Sequence, residues 1–169
     1  MFLNKKKVIL VISISILVLV FFLNYNDVKS QVIIISDGDT IKIDGEKIRF
    51  SGIDAPESYF KGKKQICKLE EKEIFCGEIS KNKLIEKIGI YSVECVLEKN
   101  KDKYKRSVGE CFVKGESLSV YMVRNGFALD WPRYSKGKFS KDQEFAKDNN
   151  LGIWAMKFEY PWIWRANNR

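Results

Sequence analysis

Histidine is absent from all 169 residues. Its absence excludes Ser-His and Cys-His nucleophilic catalysis, imidazole general bases and histidine-ligated zinc. Any hydrolytic chemistry must then rest on carboxylates, arginines and a hard metal ion. The four cysteines include no CxxC spacing, which further weakens a zinc reading. Internal repeats and low-complexity linkers are also missing, so the chain reads as one domain behind an N-terminal segment. What is abundant is positive charge: 30 Lys and Arg against 22 Asp and Glu, a net charge of +8. Residues 1–30 contribute four lysines against one aspartate, so +5 belongs to residues 31–169. A basic domain suits a phosphate-rich partner, although lysines scattered over a solvated surface give the same composition.

Lys5, Lys6 and Lys7 precede an unbroken apolar run from Val8 to Leu23. As a helix these residues reach about 24 Å at 1.5 Å per residue, short of the roughly 30 Å hydrocarbon core. That favours a signal sequence over a free-standing membrane helix. Val28 and Ser30 suit the −3 and −1 sites of a signal peptidase, but cleavage before Gln31 would leave almost nothing ahead of the first strand. An uncleaved anchor over residues 8–23 therefore stays open. In both cases the lysines remain inside and the domain is exported, to a periplasmic or extracellular location.

The richest stretch is Val32 to Ser58, VIIISDGDTIKIDGEKIRFSGIDAPES. Two Asp-Gly pairs, Asp37-Gly38 and Asp44-Gly45, separate β-branched runs and predict hairpins, because glycine takes the positive φ that a two-residue turn needs. Alternation over Glu46 to Ile53 puts Ile48 and Phe50 on one face and Lys47, Arg49 and Ser51 on the other. Asp39 begins the second strand and Asp54 follows the third. Antiparallel pairing brings those ends together, with Glu57 beyond a stiffening proline, and the convergence suggests a hard-cation site. For either Asp-Gly pair alone, a plain turn is the better reading.

Beyond it, Tyr59 to Glu73 reads as an exposed loop rich in Lys and Glu. A helix follows over Glu78 to Lys87, with Ile79, Leu84, Ile85 and Ile88 partly buried and Gly89 as its stop. Strands are predicted over Tyr91 to Leu97 and Ser107 to Val113. Ser117 to Arg124 gives a second helix with a serine N-cap, and Ser140 opens a third with capping-box spacing, ending near Gly152. The expected fold class is thus α+β: a five-stranded OB-fold β-barrel with three helices, preceded by the signal or anchor helix. Four cysteines allow three pairings. If Cys95 and Cys111 face each other across one hairpin, Cys67 is left to close a short loop with Cys76. Paired cysteines agree with export to an oxidising compartment.

DGDT, then an arginine, then GIDAPE resembles the staphylococcal nuclease (thermonuclease) family, and the similarity extends with gaps over nearly all of residues 31–169. The resemblance implies a Ca²⁺ held by Asp39, Asp54 and the backbone carbonyl of Ala55, where the family's nuclease has Thr. It implies that Glu57 positions or deprotonates the attacking water and that Arg49 binds the scissile phosphate. Asp102-Lys103-Tyr104-Lys105-Arg106 resembles the family's DKYGR. Arg106 would be the second catalytic arginine, with Lys103 and Tyr104 on a flanking phosphate, and Lys105 replaces a glycine. Tyr134 corresponds to an aromatic that stacks on a substrate base. The tail carries PWIWR, typical of many exported members, whose tryptophans read as core and surface cover. The implied activity is a Ca²⁺-dependent endonuclease on DNA and RNA that leaves 3′-phosphates and acts as a monomer, with membrane contact only through an uncleaved N-terminal segment. The competing readings are a catalytically silent OB module that binds nucleic acid or protein, and a membrane-tethered structural protein. Silent relatives usually lose the metal carboxylates, which this chain keeps, and a structural protein would leave them without a purpose.

Overall fold

The computed structural model describes residues 31–169. The expected signal or anchor helix falls on residues 1–30, outside the described residues. Asp44 and Gly45 take φ of 47° and 95°, the doubly left-handed turn that matches strand twist, so this Asp-Gly pair does close a tight hairpin. It joins β2 (Thr40–Ile43) to β3 (Glu46–Phe50), and β2 also pairs antiparallel with β1 (Ile33–Asp37). The first Asp-Gly pair behaves differently. Gly38 is not among the residues with positive φ, and a Cβ there would collide with the Ser80 side chain. Close approach of a helix, not turn conformation, requires glycine at that position.

After β3 the chain forms β4 (Ile53–Asp54) and then a hairpin of β5 (Cys67–Leu69) and β6 (Lys72–Ile74). Tyr59 to Glu73 is therefore not simply an exposed loop, and its Gln65 is fully buried. Helix α1 (Cys76–Ile88) ends on Gly89 at φ 56°, as expected, but Ile85 is 42% exposed and packs little. Strands β7 (Glu94–Leu97) and β8 (Ser107–Val113) follow, and β8 lies parallel to β3, giving the order β1-β2-β3-β8-β7. The α+β class holds, yet ladder bonds among the described residues do not close a barrel. A side chain spans the seam instead: Gln31 donates to the Val93 carbonyl at 3.0 Å and accepts from its N–H at 2.8 Å.

The remaining elements are β9 (Glu116–Ser117), α2 (Leu118–Arg124), β10 (Leu129–Asp130), α3 (Pro132–Ser135), α4 (Ser140–Asp148), a 3₁₀ turn (Gly152–Ala155) and α5 (Pro161–Asn167). Ser117 caps α2 by accepting from the Val120 N–H at 3.2 Å. Ser140 does not cap α4. It lies inside the helix behind Phe139, so the capping-box spacing there was coincidental. Three helices were expected, and α3 and α5 are additional because each starts at a proline in a short segment without helical periodicity.

Ile41, Ile48, Phe50, Leu84, Ile88, Leu118 and Met122 fill the core between the sheet and helices α1 and α2. Fully burying each such side chain is worth roughly 1.5–3 kcal/mol. A second cluster forms around Cys67, Cys76, Leu129 and Ile153, with Trp154, Met156, Phe158 and Trp162 against it. Both expected disulfides are present, Cys67–Cys76 and Cys95–Cys111, the latter directly opposed in the β7/β8 ladder. Mutual backbone bonds between Lys68 and Lys157, both 2.8 Å, tie the β5/β6 hairpin to the C-terminal segment.

Candidate active site

Asp39 stands at the mouth of β2, Arg49 near the end of β3 and Asp54 on β4, whose backbone is pinned by pairing with Leu129. The hairpin alternation aims Arg49 between the two carboxylates. One guanidinium nitrogen contacts Asp39 and the other reaches Asp54 Oδ1 at 2.5 Å and the Ile53 carbonyl at 3.1 Å. Asp39 also accepts from the Thr40 hydroxyl at 2.9 Å and from the Ala55 N–H at 2.7 Å. Asp39 and Asp54 are 2% and 0% exposed, so their charges interact in a medium that screens poorly. Burial works to lower the Arg49 pKa, but Asp39 and Asp54 together carry it above its ordinary value. Burial pushes Asp54 up, against the pull of Arg49 and Arg165.

Glu57 joins this group through a loop clamped from three sides. Gln65 donates its N–H to the Glu57 carbonyl at 3.0 Å, and its side-chain oxygen accepts from the Glu57 N–H at 3.1 Å. Asp37 accepts from the Ser58 N–H at 3.0 Å and from its hydroxyl at 2.5 Å. Gly77, at the start of α1, presses directly on the Glu57 carbonyl, where any Cβ would collide with backbone. Gly77→Ala is accordingly expected to lower stability by about 1–3 kcal/mol and to slow any reaction that depends on Glu57. Denaturant midpoint and activity on one sample check both effects, and an unperturbed variant would contradict the packing.

Burial, reinforced by Asp39, pushes Glu57 up to about 7, while Arg165 opposes the shift. The folded protein thus keeps a proton that the unfolded chain releases at its ordinary value of 4.5. Stability from this group is lost as pH rises from 4.5 through 7, by an amount on the order of 3 kcal/mol. Urea unfolding in chelator at pH 5 and pH 8 should show this decline, and Glu57→Gln should flatten it. An unchanged pH slope in that variant would contradict the coupling.

Arg165, on α5, was not recognised in the sequence. It donates to both oxygens of Asp54, at 3.0 and 2.7 Å, and to Glu57 Oε1 at 2.5 Å. Its only sequence signal was the terminal arginine of PWIWR, set among aromatics that read as packing. Arg106 is brought to the same sheet face as Arg49 by the parallel β3/β8 register, in which Arg49 faces Val108. Among the described residues it makes no hydrogen bond or ion pair with the cluster. Asp102 holds it instead, with Nε at 2.7 Å and Nη2 at 2.6 Å. Lys105 adopts φ 63°, so a lysine supplies the left-handed turn residue that glycine would take more easily. Lys103 and Arg106 lie over the ring of Tyr104, which is 65% exposed. Tyr134 packs edge-on against Trp131 at 4.6 Å, and Trp131 stacks on Trp162 at 5.7 Å. Tyr134 is thus connected to the cluster through Trp131, whose ring lies beneath Arg165.

The family model described as staphylococcal nuclease homologue matches residues 47–156. The chain belongs to that family. It is 32% identical over 127 residues to the succinoglycan biosynthesis protein ExoI of Rhizobium meliloti (strain 1021), covering 73% of this chain and 63% of that protein. It is 29% identical to the staphylococcal-like nuclease CAN1 of Arabidopsis thaliana, over 73% of this chain and 34% of that one. It is 26% identical over 160 residues to a micrococcal nuclease of Shigella flexneri, covering 85% and 83%. The chain therefore spans 63% of the length of the Rhizobium protein and about a third of the plant nuclease. Within this staphylococcal nuclease homologue, Arg49, Asp54, Ala55, Glu57 and Arg106 fall inside the matched span, whereas Asp39 and Arg165 fall outside it.

Asp37, Asp39, Asp54 and Glu57 set four carboxylates against the guanidiniums of Arg49 and Arg165. Fully ionised, they leave two excess negative charges, which match one divalent ion. Among the described residues no group of three or more His, Cys, Asp or Glu is disposed around a metal position. The oxygens of Asp54 are turned to guanidiniums instead. The donor chemistry nevertheless fits a hard cation, since every donor is an oxygen.

Proposed function

We propose that this nuclease homologue hydrolyses internal phosphodiester bonds of DNA and RNA, with Ca²⁺ held by Asp39, Asp54 and the Ala55 carbonyl, leaving 3′-phosphate ends. The observation that carries this reading is the convergence of buried Asp39 and Asp54 with partly buried Arg49 and Glu57 at one strand end, with negative charge in excess. When bound, the cation supplies Lewis-acid polarisation of the phosphate.

The side chains supply the rest. Glu57, with its pKa near neutrality, takes the proton of the attacking water as the oxygen bonds to phosphorus. The P–O5′ bond breaks in line, and the departing 5′ oxygen takes a proton from solvent. Arg49 supports the charge that develops on the phosphoryl oxygens. Arg106 shares that role once it exchanges Asp102 for the phosphate, while Lys103 and Tyr104 hold a flanking phosphate and Tyr134 stacks on a base. Export and a monomeric state complete the proposal, with residues 8–23 as signal or anchor. Two disulfides support an oxidising destination.

The test is cleavage of single- and double-stranded DNA and of RNA by the full chain in detergent, with Ca²⁺, Mg²⁺ or a chelator, followed by end-group analysis. Turnover with Ca²⁺ alone and 3′-phosphate ends are expected. An equal rate with Mg²⁺ would count against the cation site, and intact substrate that is bound and released would favour a silent binding module.

A further inference from the structure

Both oxygens of Asp54 are engaged by guanidiniums. Arg49 holds Oδ1 at 2.5 Å, while Arg165 donates to Oδ1 at 3.0 Å and to Oδ2 at 2.7 Å and continues to Glu57 at 2.5 Å. A cation that takes Asp54 as a ligand comes up against two guanidiniums, and like-charge repulsion favours the loss of one of these contacts. Arg49 is poorly placed to yield, because it also holds Asp39 and the Ile53 carbonyl from within a paired strand. Arg165 comes from 111 residues away in sequence, on a helix of 7 residues at the end of the chain. That helix is seated by the Trp131–Trp162 stack, by Phe60 edge-on to Trp164 at 6.3 Å, and by a bond from Lys63 to Asn168 at 3.0 Å. Its backbone is anchored, yet the Arg165 side chain is long, unbranched and 18% exposed.

We propose that Arg165 is a positioning residue that shares Asp54 with the divalent cation. It holds Asp54 and Glu57 in mutual register in the cation-free protein, cedes Asp54 when the cation binds, and keeps its bond to Glu57. A planar fork suits this role, since one guanidinium can span two carboxylates and release one without losing the other. The inference rests on the cation-site reading above, and the experiment separates the two.

Ca²⁺ binding to the full chain in detergent, without nucleic acid, is measured by titration calorimetry for the parent, Arg165→Gln and Arg165→Lys. Near-UV circular dichroism confirms that each variant is folded. Sharing predicts that Arg165→Gln binds Ca²⁺ at least tenfold more tightly, about 1.4 kcal/mol. Arg165→Lys should fall between, because an ammonium keeps the charge but lacks the planar fork that grips both oxygens of Asp54. At saturating Ca²⁺, single-turnover cleavage by Arg165→Gln should still be about tenfold slower or worse, because Glu57 has lost its tether. Unchanged or weaker Ca²⁺ binding in the folded variants overturns the sharing. A parent that neither binds Ca²⁺ nor cleaves defeats the cation-site reading as well, whereas a parent that does both, with variants that bind no more tightly, defeats the sharing alone.

Discussion

Glu57→Gln is expected to slow single-turnover cleavage by about 10²- to 10⁴-fold, the range for losing a positioned general base. Glutamine preserves the shape of the side chain and can still meet Arg165, so the loop held by Gln65, Ser58 and Gly77 should stay in place. Substrate affinity should change little. In the cation-free protein the variant should be more stable than the parent above pH 7, because it avoids an ionised carboxylate that burial and Asp39 disfavour. A slow variant that is also unstable at pH 8 would point to a structural role for Glu57 instead.

Arg49→Ala should produce two losses at once. Removing a preorganised donor from the developing phosphoryl charge typically costs ~10²- to 10³-fold in rate. The same change strips Asp39 and Asp54 of their common partner, and breaking a buried pair in that way costs about 3–5 kcal/mol. The stability loss follows from the geometry, because the Arg49 side chain is only 12% exposed and bridges both carboxylates. Ca²⁺ should return part of the lost stability, since binding the folded state alone stabilises it by mass action. Arg106→Ala should slow cleavage with a much smaller stability cost, as its pair with Asp102 is partly solvated. Parent-rate cleavage by Arg106→Ala would mean that its side chain stays on Asp102 throughout the reaction.

Much of the sheet was legible because its signals are local. Alternation in β3 and the doubly left-handed Asp44-Gly45 turn are each specified within a few residues, and together they bring Asp39, Arg49 and Asp54 to one place. The disulfide across β7 and β8 followed from strand assignment alone. What escaped was non-local. Gln65 looks like any polar loop residue, and its clamp on Glu57 depends on burial beneath the C-terminal segment, where its amide also donates to the Glu159 carbonyl at 2.7 Å. Arg165 acts across 108 residues to reach Glu57, and no periodicity in a short tail announces that contact. Gly38 carried a turn signal but serves steric clearance, because sequence cannot show that Ser80 stands over it.

Cleavage of an end-labelled single-stranded DNA by the full chain and by Asp54→Asn, each titrated with Ca²⁺, tests the carboxylate cluster most directly. Cleavage that rises with Ca²⁺ in the parent, stops on chelation and is lost in Asp54→Asn is the expected result. An undiminished rate in chelator, or Asp54→Asn cleaving as fast as the parent, would contradict a cation-dependent site built on these residues.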